Sequence, residues 1–186
     1  MLATANRHKL AEVEAILPEW EVEARDPAVE ETGDTFEANA LLKARAVAAQ
    51  LKEAGDTAPL AIADDSGIEI DALEGAPGIH SARWTEEEDW IPRVLARLAG
   101  RPDAERGCRY VCAAAAVWPD GREIGVTGTV EGRIAAEPRG TGGFGYDPIM
   151  VPDEGDGRTF AEMSDAEKHA LSHRGRAFRA LARQLA

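Results

Sequence analysis

Glu137-Pro-Arg-Gly-Thr-Gly-Gly-Phe-Gly-Tyr-Asp-Pro148 is the stretch on which the reading of the fold turns. Gly140-Thr-Gly-Gly-Phe-Gly145 matches the dinucleotide-binding fingerprint letter by letter. That fingerprint has meaning only where a strand passes into a helix near the start of a βαβ unit. Pro138 precedes it and Pro148 follows where the helix would run, so a Rossmann domain is excluded. The chain has no Gly-x-x-x-x-Gly-Lys-Ser/Thr, so it is not a P-loop enzyme. What remains is a loop that admits close backbone approach to a ligand. Phe144 and Tyr146 offer flat faces to a base or sugar, Asp147 a carboxylate, and the backbone amides offer donors to anionic oxygens.

Outward from this loop the elements alternate. A short strand over Met1–Thr4 leads to a helix from about Arg7 to Leu17, with Asn6 as N-cap and Pro18 as stop. A long helix runs from about Thr35 to Ala54, opened by Asp34 and Glu37 as a variant capping box and closed by Gly55. Its core face is Phe36, Ala40, Val47 and Leu51. Leu60-Ala-Ile-Ala63 is an unalternating apolar strand for the middle of a sheet, ending at Asp64, with a possible resumption at Ile68–Ile70. A helix is predicted within Glu86–Leu98, a hairpin from Arg109–Trp118 and Glu123–Val130, and short strands over Arg133–Ala136 and Ile149–Val151. Ser164 with Glu167 caps a C-terminal helical region. The order indicates one α/β domain over residues 1–186 with a mixed sheet.

Composition narrows the partners. A net charge of −13 argues against a nucleic-acid partner, and no apolar run or leader points to a membrane, so a cytoplasmic protein is expected. A small anionic ligand would need local Lys, Arg or a divalent metal to receive it. Cys108 and Cys112 lie about 13 Å apart on an extended strand, too far for a disulfide, and read as buried thiols.

Four constellations carry chemistry. In Asp64-Asp65-Ser66 successive side chains of an extended segment face opposite ways, so one aspartate faces a given site and the other binds backbone or supporting groups. Such a carboxylate beside a phosphate suits Mg²⁺; an aspartate turn closing a strand is the plainer alternative. Thr4-Ala-Asn-Arg-His-Lys9 brings a helix N-terminus and a lysine one turn in, either a phosphate site or a solvated lysine. Asn39 and Lys43 share a helical face, with Glu30 and Glu31 ahead of them as metal carboxylates or as helix-start acids. Lys168, His173 and Arg174 would be rotated about 140° and 240° apart on one continuous helix, so their convergence requires a break near Ser172. The alternative is a solvated cationic helix.

Together these segments resemble the inosine/xanthosine triphosphate pyrophosphatases. The matching blocks follow in family order: Thr4-Ala-Asn-x-x-Lys9, Glu30-Glu-Thr-Gly-x-Thr-Phe36, Asn39-Ala-x-x-Lys43, Ala63-Asp-Asp-Ser-Gly67, Gly75-Ala-Pro-Gly-Ile79 with Ser81-Ala-Arg83, Gly140 to Pro148, and Glu167-Lys168 with Ser172-His-Arg-Gly175. The resemblance implies a mixed, twisted β-sheet flanked by helices, in two lobes with an active-site cleft between them. It also implies a cytoplasmic, homodimeric, Mg²⁺-dependent hydrolase converting ITP, dITP or XTP to the monophosphate and pyrophosphate. By position Asp65 would be general base and metal ligand, with Glu30 as the second metal carboxylate. Thr4, Ala5, Asn6, Arg7, His8, Lys9, Lys43 and Ser66 would hold the triphosphate. Phe144, Gly145, Tyr146, Asp147, Lys168, His173 and Arg174 would bind the nucleoside, Arg174 as donor to a purine 6-oxo group. Three departures stand out: Ala5 replaces a usual glycine, Ala38 replaces a usual glutamate with Glu37 one place earlier, and the first strand is short. The alternatives are a pyrophosphatase for pyrimidine or modified nucleotides, and a nucleotide-sensing module without turnover.

Overall fold

The apolar run around Ile62 forms an inner strand of a six-stranded sheet in the computed structural model, which describes residues 1–56, 59–84 and 90–186. In chain order the strands are β1 (Leu2–Ala3), β2 (Ala24–Arg25), β3 (Ala61–Ile70), β4 (Gly107–Val117), β5 (Glu123–Ile134) and β6 (Met150–Pro152). They lie side by side as β2-β1-β3-β4-β5-β6. β1 pairs in parallel with β2 and β3, whereas β6 is antiparallel to β5, so the sheet is mixed. The helices are α1 (Arg7–Ile16), α2 (Phe36–Glu53), α3 (Trp90–Arg97), α4 (Asp165–Leu171) and α5 (His173–Leu185).

Local chemistry accounts for most boundaries. Asn6 Oδ1 accepts the amides of His8 and Lys9 and starts α1. Ser164 and Glu167 form the reciprocal capping box that opens α4. The C-terminal helical region does break at Ser172, which is extended. Three expectations are corrected. α2 is capped by Thr35, whose hydroxyl accepts the amide of Ala38, and not by Asp34 with Glu37. β3 does not stop at Asp64 but continues through Asp65-Ser-Gly to Ile70, because the alternating aspartates find cationic or amide partners that keep the segment extended. β5 takes in Arg133 and Ile134, expected as a separate strand. The part of the expected helix over residues 86–89 lies outside the described residues.

The chain divides into two compact units, Met1–Asp65 with Cys112–Gly128 and Arg174–Ala186, and Ser66–Val111 with Thr129–His173. The divisions fall within β3, β4 and β5 and at the start of α5. The first unit packs Leu2, Val13, Ile62, Cys112, Phe178 and Leu181. The second packs Ile68, Leu98, Tyr110, Ile149, Met150 and Phe160. Removing one such aromatic side chain costs about 3–5 kcal/mol, so each core is sensitive to single truncations. The second unit is also braced by buried Arg106, whose guanidinium donates to the carbonyls of Leu98, Ile134 and Ala135. Cys108 and Cys112 are buried free thiols, and burial raises both above their ordinary range.

Candidate active site

Two polar clusters stand out, one in each unit. In the first, the alternation of β3 sends Asp64 and Asp65 to different partners. Lys43 Nζ donates to Asp65 Oδ1 at 3.2 Å and to Glu31 Oε1 at 2.7 Å. Asn39, one turn earlier on α2, donates from Nδ2 to Asp65 Oδ2 at 3.2 Å. Its Oδ1 accepts the amide of Gly33 at 2.8 Å, which ties the Glu30–Gly33 loop to the same carboxylate. A Cβ on Gly33 would press on Ala38 and Asn39, so this loop lies directly on α2.

Asp65 and Lys43 titrate in the same direction for different reasons. Burial raises Asp65 and the Glu31 charge adds to it, outweighing Lys43 and Lys9, so Asp65 stands above the usual carboxylate range. Burial works to lower Lys43, but Asp65, Asp64 and Glu31 together hold it above its usual value. A buried carboxylate with a raised pKa beside a committed cation has the properties of a proton acceptor.

Asp64 is the more deeply buried aspartate. Lys9 reaches its Oδ2 at 3.0 Å and Arg174 reaches the same oxygen at 3.1 Å. Arg174 also pairs with Glu12, three residues beyond Lys9 on α1. Burial pushes the Asp64 carboxyl up, yet Lys9, Arg174 and Lys43 outweigh it and hold the group far below the carboxylate range. Thr4 Oγ1 accepts the amide of Asn6 at 3.0 Å and shapes the turn from β1 into α1, on which Ala5, Arg7 and His8 are exposed. Ser66 follows Asp65 on β3.

The second cluster surrounds Asp147. Lys168 Nζ donates to Asp147 Oδ2 at 2.7 Å, the amide of Phe144 donates to the same oxygen at 2.8 Å, and Tyr110 donates to Oδ1 at 3.2 Å. Lys168 Nζ lies 4.8 Å from the centre of the Phe144 ring. His173 stacks on Tyr110. Gly143 has φ +67°, and a Cβ there would run into the Asp147 carboxylate, so the glycine loop wraps this one side chain. Gly145 also has positive φ, with open space where a Cβ would stand.

The placement differs from the sequence reading at three residues. Glu30 is exposed, and its neighbour Glu31 is the acid that shares Lys43 with Asp65. Two adjacent acids in an irregular loop carry no periodicity to choose between them. Arg174 belongs to the first unit, where it pairs with Glu12 and Asp64. Tyr146 is buried, its hydroxyl donating to the Ser81 carbonyl at 2.9 Å and its ring stacked with Trp90, so its side chain braces the loop. Glu37 lies against Gly125 on β5. Tyr110 and Glu12 were not singled out from sequence. The i, i+3 spacing of Lys9 and Glu12 and the need of a buried phenol for a partner were the available signals.

A six-stranded mixed sheet with a carboxylate–lysine cluster at Asp65 and a glycine loop wrapped on Asp147 defines an α/β protein with two buried polar clusters. The chain belongs to the Ham1 family, which it matches over residues 1–184. A dITP/XTP pyrophosphatase from Symbiobacterium thermophilum is 50% identical over 184 residues, covering 95% of this chain and 89% of that protein. The structure of the Staphylococcus aureus Ham1 protein superposes with a TM-score of 0.82 at 36% identity, covering 99% of this chain and 96% of the other. The crystal structure of a nucleoside-triphosphatase, dITP/XTP pyrophosphatase, from Mycobacterium abscessus gives 0.72 at 42% identity, covering 100% and 98%. Among the described residues no helix is long and apolar enough to cross a membrane.

Proposed function

We propose that this protein hydrolyses non-standard purine nucleoside triphosphates (ITP, dITP and XTP) to the monophosphate and pyrophosphate, with residues 1–186 acting as one catalytic domain. The observation that carries the reading is the buried Asp65 carboxylate held by Lys43 and Asn39. Residues of the first unit receive the triphosphate. Lys43 and Lys9 supply positive charge, and the α1 N-terminus adds its dipole. Asp65 takes the proton of a water whose oxygen bonds to the α-phosphorus while the bond to the bridging oxygen breaks and pyrophosphate leaves.

The donor set fits Mg²⁺. Two carboxylates, Asp65 and Glu31, share one ammonium. Mg²⁺ commonly takes one or two carboxylates and completes its shell with phosphate oxygens and water. When bound it would neutralise charge on the triphosphate. Glu30, exposed in the same loop, is the other carboxylate proposed for the metal, with Glu31 beside it on Lys43.

Residues of the second unit receive the nucleoside. Phe144 offers a ring, and Lys168, beside it, offers an ammonium donor suited to a 6-oxo group. Adenine presents an amine there and would leave the donor unpaired. Arg174, committed to two carboxylates, is reassigned to holding Asp64. The reading also includes a cytoplasmic location and a homodimer, and light scattering of the purified protein tests the dimer.

Pyrophosphate release from ITP, XTP, GTP and ATP with Mg²⁺ tests the function directly. Turnover is expected for ITP and XTP well above ATP. Asp65→Asn should lose at least about a thousandfold in kcat while keeping the wild-type circular dichroism spectrum. Near-normal turnover by that variant would remove Asp65 from the chemistry.

A further inference from the structure

Tyr110 touches two of the residues proposed to receive the nucleoside. From β4 its hydroxyl donates to Asp147 Oδ1 at 3.2 Å. Its ring stacks on the His173 imidazole, with centroids 4.4 Å apart and planes at 19°. On its surroundings Phe160 adds a tilted contact at 5.9 Å. The side chain is buried, and burial followed by the Asp147 charge raises the phenol well above its ordinary range, so it remains a donor at neutral pH.

The two oxygens of Asp147 have different kinds of partner. Oδ2 takes the amide of Phe144 and the ammonium of Lys168, groups on the glycine loop and on α4. Oδ1 takes the hydroxyl from the sheet. A hydroxyl on Oδ1 gives the carboxylate a further point of attachment away from Oδ2 and restricts rotation of its plane. Lys168 and the Phe144 backbone would move with such a rotation. His173 begins α5 immediately after the break at Ser172, and its ring lies stacked on that of Tyr110.

We propose that Tyr110 is a positioning residue for nucleoside recognition. Its hydroxyl sets the plane of Asp147, its ring sets the plane of His173, and through Asp147 it determines where Lys168 and Phe144 meet the base. This rests on the function proposed above, in which the second unit receives the nucleoside.

The test compares wild type with Tyr110→Phe and Tyr110→Leu in three assays: ITP turnover, inhibition of that turnover by inorganic triphosphate, and calorimetric titration with inosine monophosphate. Loss of one hydrogen bond to a buried carboxylate corresponds to about a tenfold effect. Tyr110→Phe should therefore raise KM for ITP about tenfold, with kcat moving by less than about threefold, and weaken inosine monophosphate similarly. Tyr110→Leu, which also removes the ring under His173, should weaken both further. Inhibition by inorganic triphosphate, which has no nucleoside, should stay within about twofold, a selectivity that general loss of structure would not produce. The proposal is overturned if Tyr110→Phe leaves KM and inosine monophosphate affinity within about twofold of wild type. It is equally overturned if inorganic triphosphate weakens in step with ITP. A wild-type protein that fails to turn over ITP would sink the enzymatic reading, and the inosine monophosphate titration would then decide the role of Tyr110 by itself.

Discussion

Replacing Asp64 with asparagine keeps the shape of the side chain and removes one charge from a buried network. In the wild type Lys9 and Arg174 both contact Asp64, Arg174 also contacts Glu12, and the nearby Lys43 adds positive charge around Asp64. The substitution leaves Lys9 and Arg174 without the charge they share at Asp64. Removing one member of a buried ion pair typically costs about 3–5 kcal/mol. The Arg174 side chain is 2% exposed and cannot turn to solvent, but it keeps Glu12. The Lys9 side chain is 16% exposed and can move outward. Both considerations place Asp64→Asn at the low end, about 3 kcal/mol. For a chain of this length that lowers Tm by about 6–12 °C.

The pH dependence of that difference is a second measure of the same charge. The folded-state pKa of Asp64 is depressed, burial being outweighed by Lys9 and Arg174. In the unfolded chain the group titrates near 3.9. Above that pH both states bind no proton at Asp64 and the full stabilisation is present. Below it only the unfolded state is protonated, so the advantage over Asp64→Asn is lost by about 1.4 kcal/mol per pH unit. Urea unfolding of both proteins at pH 7, 5, 4 and 3, with chelator present, should show a gap that is constant from pH 7 to 5. It should then narrow by about 1 kcal/mol at pH 3. A gap below about 0.5 kcal/mol at pH 7, or one that widens on acidification, would refute the account of Asp64 as a buried anchor.

Two further outcomes follow from the clusters. Lys43→Met removes the ammonium shared by Asp65 and Glu31 and should lower kcat/KM for ITP about 100-fold; a loss below about threefold would show that this charge does not reach the transition state. Gly143→Ala combines positive φ with collision against Asp147, so it should raise KM for ITP and destabilise by more than about 2 kcal/mol. Gly145→Ala, with positive φ and open space, should cost only about 1 kcal/mol, and equal effects in the two variants would remove the collision from the explanation.

Much of the architecture was legible because it is written in local chemistry. Asn6 as cap of α1, the Ser164–Glu167 box, the stop at Gly55 and the hairpin over Pro119–Arg122 each depend on neighbours within a few residues. The opposite facing of Asp64 and Asp65 needed only the two-residue period of a strand. The continuity of β3 was not legible in the same way. Asp-Asp-Ser-Gly has the composition of a turn, and it stays extended because Lys9, Arg174, Lys43 and Asn39 arrive from α1, α5 and α2.

By itself the sequence determined the mixed α/β class, the extents of most helices, the exclusion of a dinucleotide fold and the set of residue types available to a nucleotide. Each of these rests on periodicity or on contacts within one turn. Only the tertiary structure decided that Glu31 rather than Glu30 shares Lys43 with Asp65, that Arg174 anchors Asp64, that Tyr146 is a brace, and that Tyr110 stands behind Asp147. Those pairings join residues 12 to 110 positions apart, and the direction of a side chain over such separations is set by how the elements pack.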